Sequence, residues 1–279
     1  YPSNGRDWEA RVTTDFSPNP NRRGRPEDYP INDDASPIKI MNFNGVGGGT
    51  IMYTAHWPRL HPSDFRTHTL DGVGEDWPIS YAQLTPSYDL NDRMTGVSGL
   101  EGDPAYPPGK RPQMRPPALG RSGVTWGAAL NKLGWHWWPS DISIAIEEYE
   151  GRAKCLNLAH CTPGCAQGAK ASVDITYWPQ AIRAGVELRT HCRVKRITTG
   201  PDGMVTGAEY FDPAGKLCFQ AAHAVVVACN GIGTPRMLLA SASEQHPNGL
   251  ANSSDQVGRN LMLHPYVSVY GYVDHEVDG

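Results

Sequence analysis

Apolar positions change their spacing along this chain, and the change falls near residue 186. Before it the clearest pattern is helical. Val173, Tyr177, Ala181 and Ala184 lie on one face of residues 171–184, which predicts a helix there. Ser80 stands before Tyr81, Leu84 and Tyr88, so a second helix is predicted to start there with Ser80 as its N-cap. Ser63-Asp64-Phe65 offers another start. After residue 186 the period shortens to two. Val186-Glu187-Leu188-Arg189 alternates, and residues 194–198 and 205–211 read as strands. Turns at Pro201-Asp202-Gly203 and Pro213-Ala214-Gly215 make this a β-meander. Residues 224–229 form an unbroken apolar run, which suits a strand covered on both faces as in parallel sheets. A helix carrying Met237, Leu238 and Leu239 is predicted next, with Thr234 as N-cap and Pro235 as its first residue. Earlier, residues 38–43 suggest a short strand and residues 51–57 an extended stretch. Residues 1–37 read as a surface excursion and residues 95–124 as a connector. No internal repeat is visible. The mixture reads as α/β.

Composition narrows the class. The 279 residues are 39% hydrophobic and 19% charged, enough apolar material for a core and too much for wholesale disorder. The 30 glycines and 24 prolines point to a globular fold rich in turns. A net charge of −4 without a long basic run argues against nucleic acid as a partner. No run approaches the ~18 apolar residues of a membrane span. The chain opens Tyr-Pro-Ser, without the signature of a leader peptide, so a processed chain or a fragment is expected. No compartment, cytoplasmic or periplasmic, can be read from that end.

Two glycine-bearing turns carry candidate chemistry. The run 224–229, its small-residue turn and the helix after it form a strand-turn-helix unit. Its free N–H groups suit a phosphate or a ribose edge; an ordinary crossover is the alternative. The segment Gly45-Val46-Gly47-Gly48-Gly49-Thr50 is a poor dinucleotide fingerprint, because Thr50 replaces the third glycine and no helix is predicted after it. It reads better as backbone that a flat ligand approaches closely, with a plain glycine turn as the alternative. Three of the six cysteines, Cys155, Cys161 and Cys165, crowd one Gly/Pro-containing loop. Thiolates so placed can converge on a metal centre. Three suit a three-iron cluster, or zinc with His160 as a further ligand; a disulfide or free thiols are the alternative.

Together the motifs resemble the glucose-methanol-choline (GMC) flavoprotein oxidoreductases. The resemblance rests on Val46-Gly47-Gly48-Gly49-Thr50, Arg59, Pro62-Ser63-Asp64-Phe65 and Asp76-Trp77-Pro78-Ile79-Ser80-Tyr81. It continues through Gly168-Ala169-Lys170, residues 225–236, Val257-Gly258-Arg259-Asn260-Leu261 and His264-Pro265. It is nearest the bacterial gluconate, fructose and glucose dehydrogenase flavoprotein subunits. It implies a discontinuous FAD-binding domain of α/β class with a smaller sheet-and-helix substrate domain, incomplete here. Residues 1–65 would begin the FAD-binding domain, 66–150 would form a lid or substrate-side segment, 151–265 would continue the FAD-binding domain, and 266–279 would open the substrate domain. Gly47, Gly48, Gly49 and Thr50, with Tyr53, would lie near the flavin ring. Val194 would meet the adenine, and Cys229, Asn230 and Gly231 the adenosine-diphosphate half.

The implied reaction takes a hydride from the CH–OH group of a polyol, sugar or sugar acid to FAD, with electrons passing to a cytochrome or a quinone. Cys155, Cys161 and Cys165 match the spacing of a 3Fe-4S cluster in the glucose dehydrogenase subunits. The rival readings are a GMC oxidase or choline-type dehydrogenase without metal, and a non-catalytic, metal-stabilised binding module. The family's G-x-G-x-x-G and catalytic histidine segment have no counterpart here; His264 precedes proline and is not that histidine. An internal fragment is therefore expected, with those motifs before Tyr1 and beyond Gly279, and with weak or no FAD binding and no turnover by the chain alone. The catalytic residues stay unassigned. Reduced packing roles are expected for Cys192, Cys218 and Cys229, core or lid packing for Trp135, Trp137 and Trp138 with stacking on a sugar face as the alternative, and surface roles for His56 and His61; Arg22-Arg23 is too short a basic run to read.

Overall fold

A computed structural model describes residues 34–35, 45–158, 161 and 164–263. The expected strand at 38–43, most of the excursion over 1–37, Arg22, Arg23, His160 and His264 lie outside the described residues. The chain divides into two units, residues 1–186 with 273–279, and residues 187–272.

The first unit is organised around an irregular spine rather than a regular sheet. Residues 141–146 exchange main-chain hydrogen bonds with three other extended segments. Ser98 and Ile142 bond reciprocally at 2.8 and 2.9 Å, Ser143 N–H reaches Ala55 O at 2.8 Å, and Ala145 N–H reaches Ala169 O at 2.8 Å. Ala55, Ile144 and Ala169 form one buried cluster on this spine, and Met114, Ala145 and Ile146 form another. Small residues at the crossings let the backbones approach closely enough to pair.

Among the described residues this unit has four α-helices: α1 Thr67–Asp71, α2 Tyr81–Thr95, α3 Gly120–Leu133 and α4 Val173–Arg183. α2 starts where the sequence predicts. Ser80 Oγ accepts from Gln83 N–H at 3.3 Å and Gln83 Oε1 accepts from Ser80 N–H at 2.8 Å, a reciprocal cap that satisfies two orphan donors. It stops at Gly96, φ 66°, where a Cβ would stand 2.5 Å from Arg152 Nη2. Arg152 in turn bridges Thr95 O and Ala169 O at 2.5 and 3.1 Å. Phe65 closes a short 3₁₀ turn, Pro62–Phe65.

Arg59 fastens the segment after the glycine turn to α2. Its Nε lies 3.0 Å from Asp92 Oδ2, its Nη2 2.5 Å from the same oxygen, and Nη2 also reaches Asp89 Oδ1 at 2.7 Å. Trp57 Nε1 donates to the other Asp92 oxygen at 3.2 Å.

Two expectations change here. Residues 51–57 are not extended throughout: a 3₁₀ turn, Gly48–Ile51, occupies their start, and His56 then bridges Ile142. The connector over 95–124 yields its last residues to α3, whose Gly127 packs against the Trp137 ring, 2.7 Å from a notional Cβ.

The second unit is a meander of β1 Arg193–Thr199, β2 Val205–Phe211 and β3 Leu217–Ala221, antiparallel and in that order. β1 carries an irregularity between Val194 and Arg196. Gly207 is obligatory in β2, since a Cβ would sit 2.1 Å from Gln220 O. Helix α5, Asn230–Ala240, docks on β1 through Ser241, whose Oγ accepts from Ile197 N–H at 2.9 Å.

The alternating stretch 186–189 and the apolar run 224–229 join no ladder among the described residues. Val226 is 89% exposed; the run has no sheet neighbour here to cover it. α5 also starts earlier than Thr234 and Pro235 predict. Asn230, at φ 63°, turns its Oδ1 onto the N–H groups of Ile232 and Gly233 at 2.8 and 3.0 Å, capping the helix before Thr234 is reached. Thr234 Oγ1 instead accepts from Cys229 N–H at 3.1 Å.

Candidate functional site

The glycine turn at 47–50 has two faces with different requirements. Gly47 has φ 97°, a left-handed conformation that favours glycine. A Cβ there would stand 2.8 Å from Ile51 Cδ1 and 3.1 Å from Asp174 Oδ1. Gly48 is also left-handed, φ 55°, but open around its notional Cβ. Gly49 is exposed, has no left-handed φ, and its Cβ would meet none of the described residues within 4 Å. Folding therefore accounts for the glycine at 47 and leaves the one at 49 unexplained.

Residues 170–174 hold the inner face of this turn. Thr50 Oγ1 accepts from Val173 N–H at 2.9 Å and donates to Gly47 O at 2.5 Å, so one hydroxyl closes the turn and caps α4. Tyr53 Oη donates to Ala171 O at 2.6 Å. Lys170 Nζ donates to Ile51 O, Tyr53 O and Cys161 O at 2.7, 2.9 and 2.6 Å. Asp174 Oδ1 lies buried beside Gly47 without a hydrogen-bond partner among the described residues. Burial pushes the Tyr53 phenol up to about 12, so it stays a donor at neutral pH. Burial brings Lys170 down to about 8, against the pull of Cys161, Cys165 and Asp174.

Cys155, Cys161 and Cys165 all pack on the same buried cluster of Ala55, Ile144 and Ala169, as does Tyr53. The fold thus brings the cysteine loop and Tyr53, three residues past the glycine turn, to one small core. All three thiols are free and half-buried. Burial pushes the Cys161 thiol up, its neighbours Cys155 and Cys165 add to this, and Lys170 opposes it. Among the described residues no three or more His, Cys, Asp or Glu side chains are arranged to hold a metal ion.

The remaining candidates belong to the second unit. Val194 lies on β1, at the edge of the three-stranded sheet, and is 41% exposed. Cys229, Asn230 and Gly231 form the exposed start of α5. Gly231 is open except for Leu261 Cδ1, 3.9 Å from its notional Cβ, whereas Gly233 is closed by Cys229 Cβ at 2.9 Å. Cys229 is exposed, while Cys192 and Cys218 are half-buried and unpaired.

Three of the other aromatic and histidine candidates have structural partners, whereas Trp135 is 65% exposed and His56 is exposed. His61 stacks on Tyr106 with centroids 4.4 Å apart, Trp137 Nε1 bonds Asn131 Oδ1 at 2.9 Å, and Trp138 Nε1 bonds Leu100 O at 3.0 Å.

Sequence reasoning missed the support that residues 170–174 give to the turn. Its one available signal is a lysine among small residues, Gly168-Ala169-Lys170-Ala171-Ser172: a long cation in a stretch small enough to be buried.

Residues 127–266 match the family model described as GMC oxidoreductase. A 2-methyl-1,2-propanediol dehydrogenase of Mycolicibacterium austroafricanum is 44% identical, over 95% of this chain and 48% of that protein. The fructose dehydrogenase large subunit of Gluconobacter japonicus is 32% identical, over 85% of this chain and 44% of its own length. A paromamine 6'-oxidase of Streptomyces fradiae is 32% identical, over 83% of this chain and 43% of that protein. The chain spans about half the length of these curated relatives.

Proposed function

Because the chain belongs to the GMC oxidoreductase family, we propose that it builds part of the FAD seat of an enzyme that oxidises small alcohols, polyols or sugars. One observation carries this reading. The turn at 47–50 is fastened from behind by Thr50, Tyr53 and Lys170, while its outward glycine, Gly49, is open and needed by none of the described residues. A rigid backbone without side chains on its outer face is what a flat ring system requires for close approach.

Gly47, Gly48, Gly49, Thr50 and Tyr53 take the flavin side in this reading. Val194 takes the adenine, and Cys229, Asn230 and Gly231 the adenosine-diphosphate half. FAD, when bound, supplies the hydride acceptor. The chain's task is to orient the ring and keep water from it. Removing the hydroxyl proton needs a base, and no described residue is assigned that role. Residues 1–65 and 151–265 then belong to the FAD-binding domain, residues 66–150 to the lid or substrate side, and residues 266–279 to the start of the substrate domain.

The names of the relatives favour a small diol or sugar as substrate. A cytochrome or quinone acceptor, and a 3Fe-4S cluster taken up by Cys155, Cys161 and Cys165, are the finer parts of the proposal. The support for the cluster is that the three thiols and Tyr53 pack on one core.

Anaerobic mixing of the intact, FAD-containing protein with 1,2-propanediol, fructose and gluconate tests the substrate class. Bleaching of the flavin bands by at least one supports it; no bleaching by any of them or by other small alcohols overturns it. Iron and acid-labile sulfide in the same preparation test the cluster.

A further inference from the structure

Lys170 is 1% exposed and makes no ion pair among the described residues. A lysine ammonium has three donors and no acceptor, and here each donor meets a main-chain carbonyl. Two belong to the glycine turn and the residues just after it, Ile51 O and Tyr53 O at 2.7 and 2.9 Å. The third, Cys161 O at 2.6 Å, belongs to the cysteine loop. The ammonium also lies 5.1 Å from the Tyr53 ring centroid, within cation–π range.

The root of the side chain is equally fixed. Ala145 N–H bonds Ala169 O at 2.8 Å and Ala171 N–H bonds Ser143 O at 2.9 Å, so the spine pins the backbone on both sides of Lys170. A buried cation with no carboxylate in ion-pair contact among the described residues, only Asp174 acting from farther off, is costly to keep. For packing alone, an apolar side chain of the same length would be the cheaper occupant.

We propose that Lys170 is a positioning residue that locks the flavin-side turn to the cysteine loop, so that the two segments keep one fixed separation. The inference rests on the reading of residues 47–53 as the flavin seat. It goes further in making the cysteine loop part of that seat's support. Tyr53 is the natural contrast. Its hydroxyl ties the turn to Ala171 and does not reach the cysteine loop, so its loss should loosen the turn alone.

The test uses the intact protein with Lys170→Met, Lys170→Gln and Tyr53→Phe. Hydrogen exchange is read over residues 49–54 and 155–166, together with FAD affinity and the visible flavin spectrum. Lys170→Met is expected to speed exchange in both segments and to weaken FAD binding by about tenfold or more, with an altered flavin band. Lys170→Gln, which keeps amide donors, should recover part of each effect. Tyr53→Phe should speed exchange over residues 49–54 only.

A folded Lys170→Met protein with exchange and FAD affinity within about twofold of the parent would overturn the proposal. So would an exchange effect confined to one segment. Should Lys170→Met fail to fold, Lys170→Gln is held to the same two criteria. A parent protein that binds no FAD would defeat the flavin reading, and exchange in the two segments would still decide the lock.

Discussion

Alanine at Gly49 separates folding from ligand binding, because the fold gives that glycine no task. Its Cβ would meet nothing within 4 Å and its φ is not left-handed. Removing a glycine from such a site should leave folding stability unchanged, or raise it by about 0.4–1 kcal/mol through the unfolded chain. A ring packed on that face, in contrast, would collide with the added methyl. Overpacking of a close contact costs about 1–3 kcal/mol, which lowers FAD affinity by roughly 5- to 150-fold. Gly47→Ala should behave in the opposite way. Its φ of 97° strains any side chain, and its Cβ would lie 2.8 Å from Ile51 Cδ1, so folding itself should lose on the order of 1–3 kcal/mol. Urea unfolding of the apoprotein reads the first quantity and FAD titration by fluorescence the second. Gly49→Ala protein that is as stable as the parent and binds FAD within about twofold as tightly would refute the reasoning.

Other outcomes follow from the same contacts. Arg59→Met strands Asp92, 4% exposed, and should cost about 3–5 kcal/mol in urea unfolding, whereas Arg59→Met with Asp92→Leu should recover much of the loss; the exposed Asp89 partner should contribute under about 1 kcal/mol. Ser80→Ala removes the acceptor for Gln83 N–H and should cost about 1 kcal/mol, seen as a lower urea midpoint. Burial raises the Asp141 carboxyl above its ordinary 3.8, with Lys110 opposing, so the folded state holds that proton more tightly than the unfolded chain. Its contribution to stability therefore falls as pH rises from 3.8 through the folded value, and Asp141→Asn should remove that slope from a plot of urea midpoint against pH.

Much of this arrangement was legible, and the failures have physical causes. Ser80 and Gln83 announce α2 because a capping box is local chemistry, complete within four residues. The Pro-Asp-Gly turn places β1 and β2 for the same reason. Residues 224–229 carry the pattern of a buried strand, but a strand exists only through its neighbours, and pattern does not supply one. α5 starts at Asn230 because a side chain in a left-handed conformation can cap two N–H groups at once, overriding the Thr-Pro signal downstream. The spine at 141–146 was invisible, since its pairings with Ala169, Ser98 and Ala55 join residues 24 to 88 positions apart and leave no period to read. At the site, the glycines could be picked out singly. That Lys170 meets both the turn and the cysteine loop is a fact of tertiary structure, and a buried lysine looks like any other in one dimension.

The most direct measurement is FAD released by denaturing the intact, purified protein, quantified against polypeptide after gel filtration. The account predicts one FAD for each chain, with retention reduced by Gly49→Ala while the fold is intact. Intact protein that is well folded yet releases no flavin, and takes none up when FAD is added, would contradict it.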